Sequence, residues 1–138
     1  MKILLLLSLL TFTVTAKDYG SATVSEVISV YDGDTFRATI KNYPAIIGEN
    51  IAIRVNGIDT PEIRGKCPSE KALAIKARDM ARLMLRNAKV IELHNISRGK
   101  YFRIVADVFI DGVNLGDILL DAKLARRYSG KKKNGWCG

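Results

Sequence analysis

From Ala22 to Val55 the apolar positions follow a short period. "ATVSEVISVY" (residues 22–31) is rich in Val and Ile and alternates imperfectly, and "TFRATI" (35–40) follows an Asp-Gly turn signal. In "NIAIRV" (50–55) Ile51, Ile53 and Val55 share one face, while Ala52, Arg54 and Asn56 share the other. This predicts three strands. From Ser69 to Lys89 the period lengthens. Leu73, Ala77, Met80 and Met84 step at helical spacing, Ala81 and Leu85 widen the stripe, and Arg78, Asp79, Arg82 and Arg86 supply a polar side. Pro68, Ser69 and Glu70 all suit a helix start. "KVIELHNI" and "RIVADVFI" return to strand character, Asp111-Gly112 offers a turn, and "VNLGDILLDAKLARR" predicts a short late helix with Asn114 as its cap. Five short strands interrupted by one long helix after the third fit a five-stranded Greek-key β-barrel of the OB type, an α+β fold. An open α+β sheet is the alternative.

Composition changes this picture at the N-terminus. "MKILLLLSLLTFTVTA" has a positive Lys2, an apolar run and a small-residue ending at Ala16, which predicts a signal peptide over residues 1–16. The expectation is one domain over residues 17–138, secreted or periplasmic, monomeric, with no stable membrane association once the leader is removed. The net charge of +8 on 138 residues suits a polyanionic partner, whether nucleic acid, acidic glycan or anionic membrane. The two cysteines, Cys67 and Cys137, would meet an oxidising compartment, where an internal bridge is expected. Free thiols and intermolecular bridges are the alternatives.

The candidate chemistry sits at the strand ends. Asp32-Gly33 reads as a turn, and Asp34 follows it. In "IDTPE" (58–62) the proline keeps Thr60 out of the helical region, so Asp59, the Thr60 carbonyl and Asp34 could offer oxygen ligands to a hard cation. Glu62 would remain free to orient a water and take its proton, or would be a solvated loop residue. With no His/Cys cluster, and His94 alone in a strand, a zinc or copper site is disfavoured. Arg54 and Arg103 could clamp a phosphoryl group through their planar donor forks. Tyr101, between Lys100 and Arg103, could stack on a base or pack as a half-buried strand residue.

In order, "DGDT", "IRVNGIDTPE" and "RGKYFR" resemble the staphylococcal nuclease (thermonuclease) family over residues 22–127 or so. The resemblance implies an OB-fold and Ca²⁺-dependent cleavage of DNA and RNA phosphodiesters, leaving 3′-phosphate ends. It also implies roles: Asp34, Asp59 and the Thr60 carbonyl as metal ligands, Glu62 as general base, Arg54 and Arg103 on the phosphate, and Lys100 and Tyr101 lining the nucleotide pocket. A nucleic-acid-binding module with a dead site is the alternative reading. The sequence departs from that family's best-known members at Phe102 and Lys123, where glycine is usual. The segment "EIRGKCPS" is also short, and "KKKNGWCG" stands where the staphylococcal enzyme has a long helix. A Cys67–Cys137 bridge would tie the Trp136 tail behind Glu62 and compensate for that helix.

Overall fold

A computed structural model describes residues 17–138; the leader expected at residues 1–16 lies outside them. In chain order the elements are β1 (Ala22–Val30), β2 (Thr35–Ile40), α1 (Ala45–Gly48), β3 (Ile51–Val55), β4 (Ile58–Asp59), α2 (Pro68–Asn87), β5 (Ile91–Arg98), β6 (Ile104–Ile110), β7 (Val113–Asn114), α3 (Leu115–Asp121) and β8 (Arg126–Arg127). The five long strands β1, β2, β3, β5 and β6 make the barrel. They pair in the order β3-β2-β1-β5-β6, and a parallel pairing of β3 with β6 closes the ring. Closure removes the free edges of the sheet and leaves one interior, filled by Phe36, Ile53, Leu93 and Val108. This is the expected OB-type barrel, and the open sheet is excluded.

The sequence pattern placed Ala77, Ala81 and Leu85 on the inner face of α2, where they are buried, but missed Ala74 and Glu70. The buried residues are Glu70, Ala74, Ala77, Ala81 and Leu85, while Leu73, Met80 and Met84 are only half-buried. Alanines line the contact because the helix lies close to the β1–β2 connection. A Cβ added at Gly33 would stand 2.9 Å from the Ala77 Cβ and 2.8 Å from Thr60 Cγ2. The helix cap is Cys67, which makes no side-chain capping bond; Pro68 follows in the first turn, where its missing N–H costs nothing. Asn114 caps α3 as expected, accepting from the Gly116 and Asp117 N–H groups.

The two Asp-Gly steps behave differently. Asp111 and Gly112 have φ of 48° and 85° and form the two-residue loop of the β6–β7 hairpin, as a primed turn requires. Asp32 and Gly33 have no positive φ. There the glycine serves close packing, and the aspartate is buried.

β4 and β8, two residues each, carry no readable periodicity, and they pair antiparallel with Asp59 opposite Arg126. Their pairing docks the chain after α3 against the exit of β3. Among the described residues no helix is long and apolar enough to cross a membrane.

Candidate active site

The floor of the site is built around Arg54 on β3. Gly57, with φ of 78°, turns the chain sharply after β3, and the Arg54 guanidinium folds over that turn. It donates to the Val55 and Ile58 carbonyls, both at 2.8 Å. Its remaining charge faces Asp34 Oδ2 at 3.3 Å and Asp59 Oδ1 at 3.9 Å. The predicted polar strand face is therefore inside the molecule at this position: Arg54 is 9% exposed. A guanidinium buried this deeply needs partners: two carbonyls accept from its donors, and two carboxylates balance its charge.

Asp34 leaves the β1–β2 connection pointing into the same corner. Its Oδ2 accepts from the Thr60 N–H at 2.9 Å and its Oδ1 from the Thr35 hydroxyl at 3.0 Å. Asp32, read from sequence as a turn residue, is buried beside it and accepts from the Asp34 N–H at 3.1 Å. Burial, reinforced by the negative Asp34, raises the Asp32 pKa to about 8. Asp59 and Thr60 are also buried, and both Asp59 Oδ1 and Thr60 Oγ1 lack a hydrogen-bond partner.

The two walls differ. Glu62 stands exposed at the mouth, at the start of a short loop that Glu70 of α2 holds. Glu70 Oε2 accepts from the Lys66 N–H at 2.9 Å, and Oε1 lies 3.5 Å from the Glu62 N–H. Gly65 is needed for this, since a Cβ there would meet the Glu70 carboxyl at 2.6 Å. Glu70 thus positions the backbone of Glu62, a role its place in the helix start did not reveal. The β5–β6 connection brings Lys100 and Arg103 to the same cleft, while Tyr101, on the same connection, does not line it. Tyr101 is 93% exposed, so the half-buried alternative falls and its ring face is free. Tyr101 and Phe102 both have φ of 56°. Glycine adopts this conformation without cost, which gives a physical reason for a glycine at position 102. Arg103 Nε is buried without a partner.

Asp34, Arg54, Glu62, Lys100 and Arg103 line one cleft of about 520 Å³. Asp59 opens instead into a neighbouring cavity of about 330 Å³, with Glu62 on the border of both. His94 lies elsewhere, beside Glu92 on β5.

The border between the two cavities is the C-terminal strap, which the site residues chosen from sequence omitted apart from Cys137. Cys67 and Cys137 are disulfide-bonded with Cα atoms 6.1 Å apart, as expected from the even count. Arg126 stacks on the Trp136 ring at 3.8 Å and donates to the Gly135 carbonyl at 2.7 Å. Trp136 Nε1 reaches Asp59 Oδ2 at 3.4 Å. Lys133 Nζ lies 3.0 Å from Asp59 Oδ1, close as an ion pair but off hydrogen-bond geometry, and 3.6 Å from Glu62 Oε1. Partial burial works against the Lys133 charge, but the Asp59 carboxylate outweighs it and holds the pKa above the ordinary lysine value.

The donor set suits a hard cation. Carboxylates and the Thr60 carbonyl provide only oxygen, and among the described residues the buried Thr60 Oγ1 has no hydrogen-bond partner, which leaves unused capacity in this corner. Among the described residues the ligand atoms already clustered within 4.8 Å are those of Cys67, Glu70 and Cys137. Their sulfurs are bonded to each other, so no thiolate is on offer there.

Residues 52–135 match the family model described as staphylococcal nuclease homologue, more than half of the chain. No curated protein matches the chain. The matched span includes Arg54, Asp59, Glu62, Arg103 and most of the strap, and begins after Asp34. The chain belongs to the staphylococcal nuclease homologue family.

Proposed function

We propose that this member of the staphylococcal nuclease homologue family is an exported, Ca²⁺-dependent nuclease. It hydrolyses phosphodiester bonds of DNA and RNA with little sequence preference and leaves 3′-phosphate ends. What supports this is the placement of buried Arg54 beside Asp34 and Asp59, at the floor of a cleft whose rim holds Glu62, Lys100 and Arg103. The disulfide fits an oxidising compartment outside the cytoplasm.

Hydrolysis adds charge to a phosphate that is already anionic, so the site must supply positive charge in fixed positions. Arg103, which lines the cleft, donates to the non-bridging oxygens, and Arg54 presents positive charge from the floor. Glu62, exposed at the mouth, holds a water in line with the phosphorus and takes its proton as the P–O5′ bond breaks. Lys100 steers the backbone, and Tyr101 stacks on an unpaired base, favouring single strands or frayed duplex. Asp34, Asp59 and the Thr60 carbonyl would hold Ca²⁺, which supplies Lewis-acid stabilisation of the charge gained in the transition state. The positive charge, +8 for the full chain and one less without Lys2, gathers substrate through phosphate contacts, so binding weakens steeply with salt.

The test is cleavage of single- and double-stranded DNA and RNA by the mature protein, with Ca²⁺ or with chelator. Calcium-dependent cleavage is expected, and no cleavage of any substrate rejects the reading. Glu62→Gln and Arg103→Ala should each lower turnover at least about 100-fold while thermal stability stays near wild type. Wild-type turnover in both removes their assigned roles. One observation favours the non-catalytic module: Arg54 and Lys133 already balance the carboxylates. Under that reading nucleic-acid binding persists while chelator and Glu62→Gln change nothing.

A further inference from the structure

Lys133 is an exposed residue of a strap without helix or strand, yet its ammonium lies against the Asp59 carboxylate and beside Glu62. Its placement is built. The disulfide fixes the chain four residues further on, Arg126 clasps Gly135 and Trp136, and the Trp136 indole turns toward the second oxygen of the same Asp59. A free lysine side chain wanders, because an exposed ion pair gains little over solvation. One whose backbone is pinned this near its partner faces it at high local concentration. Among the described residues the neighbouring Lys131 and Lys132 make no ion pair. Asp59 Oδ1, the oxygen Lys133 faces, is also the buried oxygen left without a hydrogen bond.

We propose that Lys133 is a tethered counter-ion of the candidate cation site: its ammonium occupies the Asp59–Glu62 edge, and a divalent cation binds there only by displacing it. The strap thereby sets cation affinity, and cutting the Cys67–Cys137 tether loosens the competitor. This rests on Asp59 being a cation ligand, as proposed above.

The experiment is calcium binding to the full mature chain by titration calorimetry, without substrate, for wild type, Lys133→Gln and Lys131→Gln. Losing a competitor worth one partly exposed ion pair should tighten Ca²⁺ binding about three- to fivefold in Lys133→Gln. Lys131→Gln removes the same charge without the contact and should stay within about twofold of wild type, the small change expected for a screened surface charge. Equal tightening in both variants would mean only a general field effect and overturns the proposal, as does no change in either. Wild type and Lys133→Gln both failing to bind Ca²⁺ would overturn the cation-site reading itself, and this inference with it. A second readout is acetylation of lysines followed by mass spectrometry. Adding Ca²⁺ should raise the reactivity of Lys133 but not of Lys131. Unchanged reactivity at Lys133 when calorimetry shows the site filled contradicts displacement.

Discussion

Arg54 and Lys133 bring positive charge to the same carboxylate by opposite means. Arg54 is placed by the barrel. It sits in β3, between β2 and β6, with its guanidinium folded onto two carbonyls of its own turn. Lys133 is placed by a strap, held through a disulfide, a stacked arginine and an indole, and nearly half of its side chain stays exposed. The first arrangement is rigid because moving Arg54 would leave buried donors and buried carboxylates unpaired. The second is exchangeable because a lysine leaving Asp59 meets water at once. A site that must bind an anion on a fixed floor and admit a cation at its edge has reason to use both.

The largest test of the difference is Arg54→Ala. It leaves Asp34 and Asp59 buried without their cation and should cost about 3–5 kcal/mol in urea unfolding, together with loss of cleavage. Lys133→Ala should cost less than about 1 kcal/mol in the same measurement. Equal losses would erase the distinction. Next is the strap itself. Cys67→Ser with Cys137→Ser opens a link spanning 70 residues of sequence, and loop-closure entropy puts the loss at about 4 kcal/mol at most. The variant should keep its barrel by circular dichroism. A lost barrel would mean that the strap is part of the core.

A smaller effect separates the corner by pH. Asp32 has a folded-state pKa of about 8 against 3.8 as a free side chain. The folded protein therefore holds that proton where the unfolded chain has released it. The associated stability is complete below about pH 3.8 and is lost as pH rises toward 8. In chelator, Asp32→Asn should gain on wild type as pH goes from 5 to 8, read as the difference between their urea midpoints. A constant difference would mean that Asp32 titrates normally. The smallest effect lies upstream of the strap, at Lys123, with φ of 59° after α3. Lys123→Gly should raise stability by about 0.5–1 kcal/mol by relieving a left-handed backbone. Destabilisation there would show that the lysine side chain contributes more than its backbone costs.

The sequence legibly carried the long elements. The Asp-Gly step ahead of it marked β2, alternation marked β3, helical spacing marked α2, and Asn114 announced the start of α3, because each signal is local. The acids and arginines that come together in the candidate site were named through their order along the chain and its family resemblance. The Cys67–Cys137 pairing followed from there being only two cysteines. What the sequence misjudged was polar burial. Asp32 read as a turn residue, Arg54 as part of a polar strand face and Glu70 as a helix-start residue, because hydropathy registers a charge but not the partner that permits its burial. On α2 the periodicity found Ala77 and Ala81 but not Ala74, because the helix lies close to Gly33, a distance no periodicity encodes.

The chain by itself thus determined the barrel, its long helix and the inventory of charged groups, since these depend on patterns within some twenty residues. Only the tertiary structure decided how those charges are matched. The two-residue pairing of β4 with β8 and the bridge across 70 residues bring Asp59, Arg126, Trp136 and Lys133 together. Contacts between residues that far apart in the chain exist only once the barrel has closed and given the strap a surface to lie on.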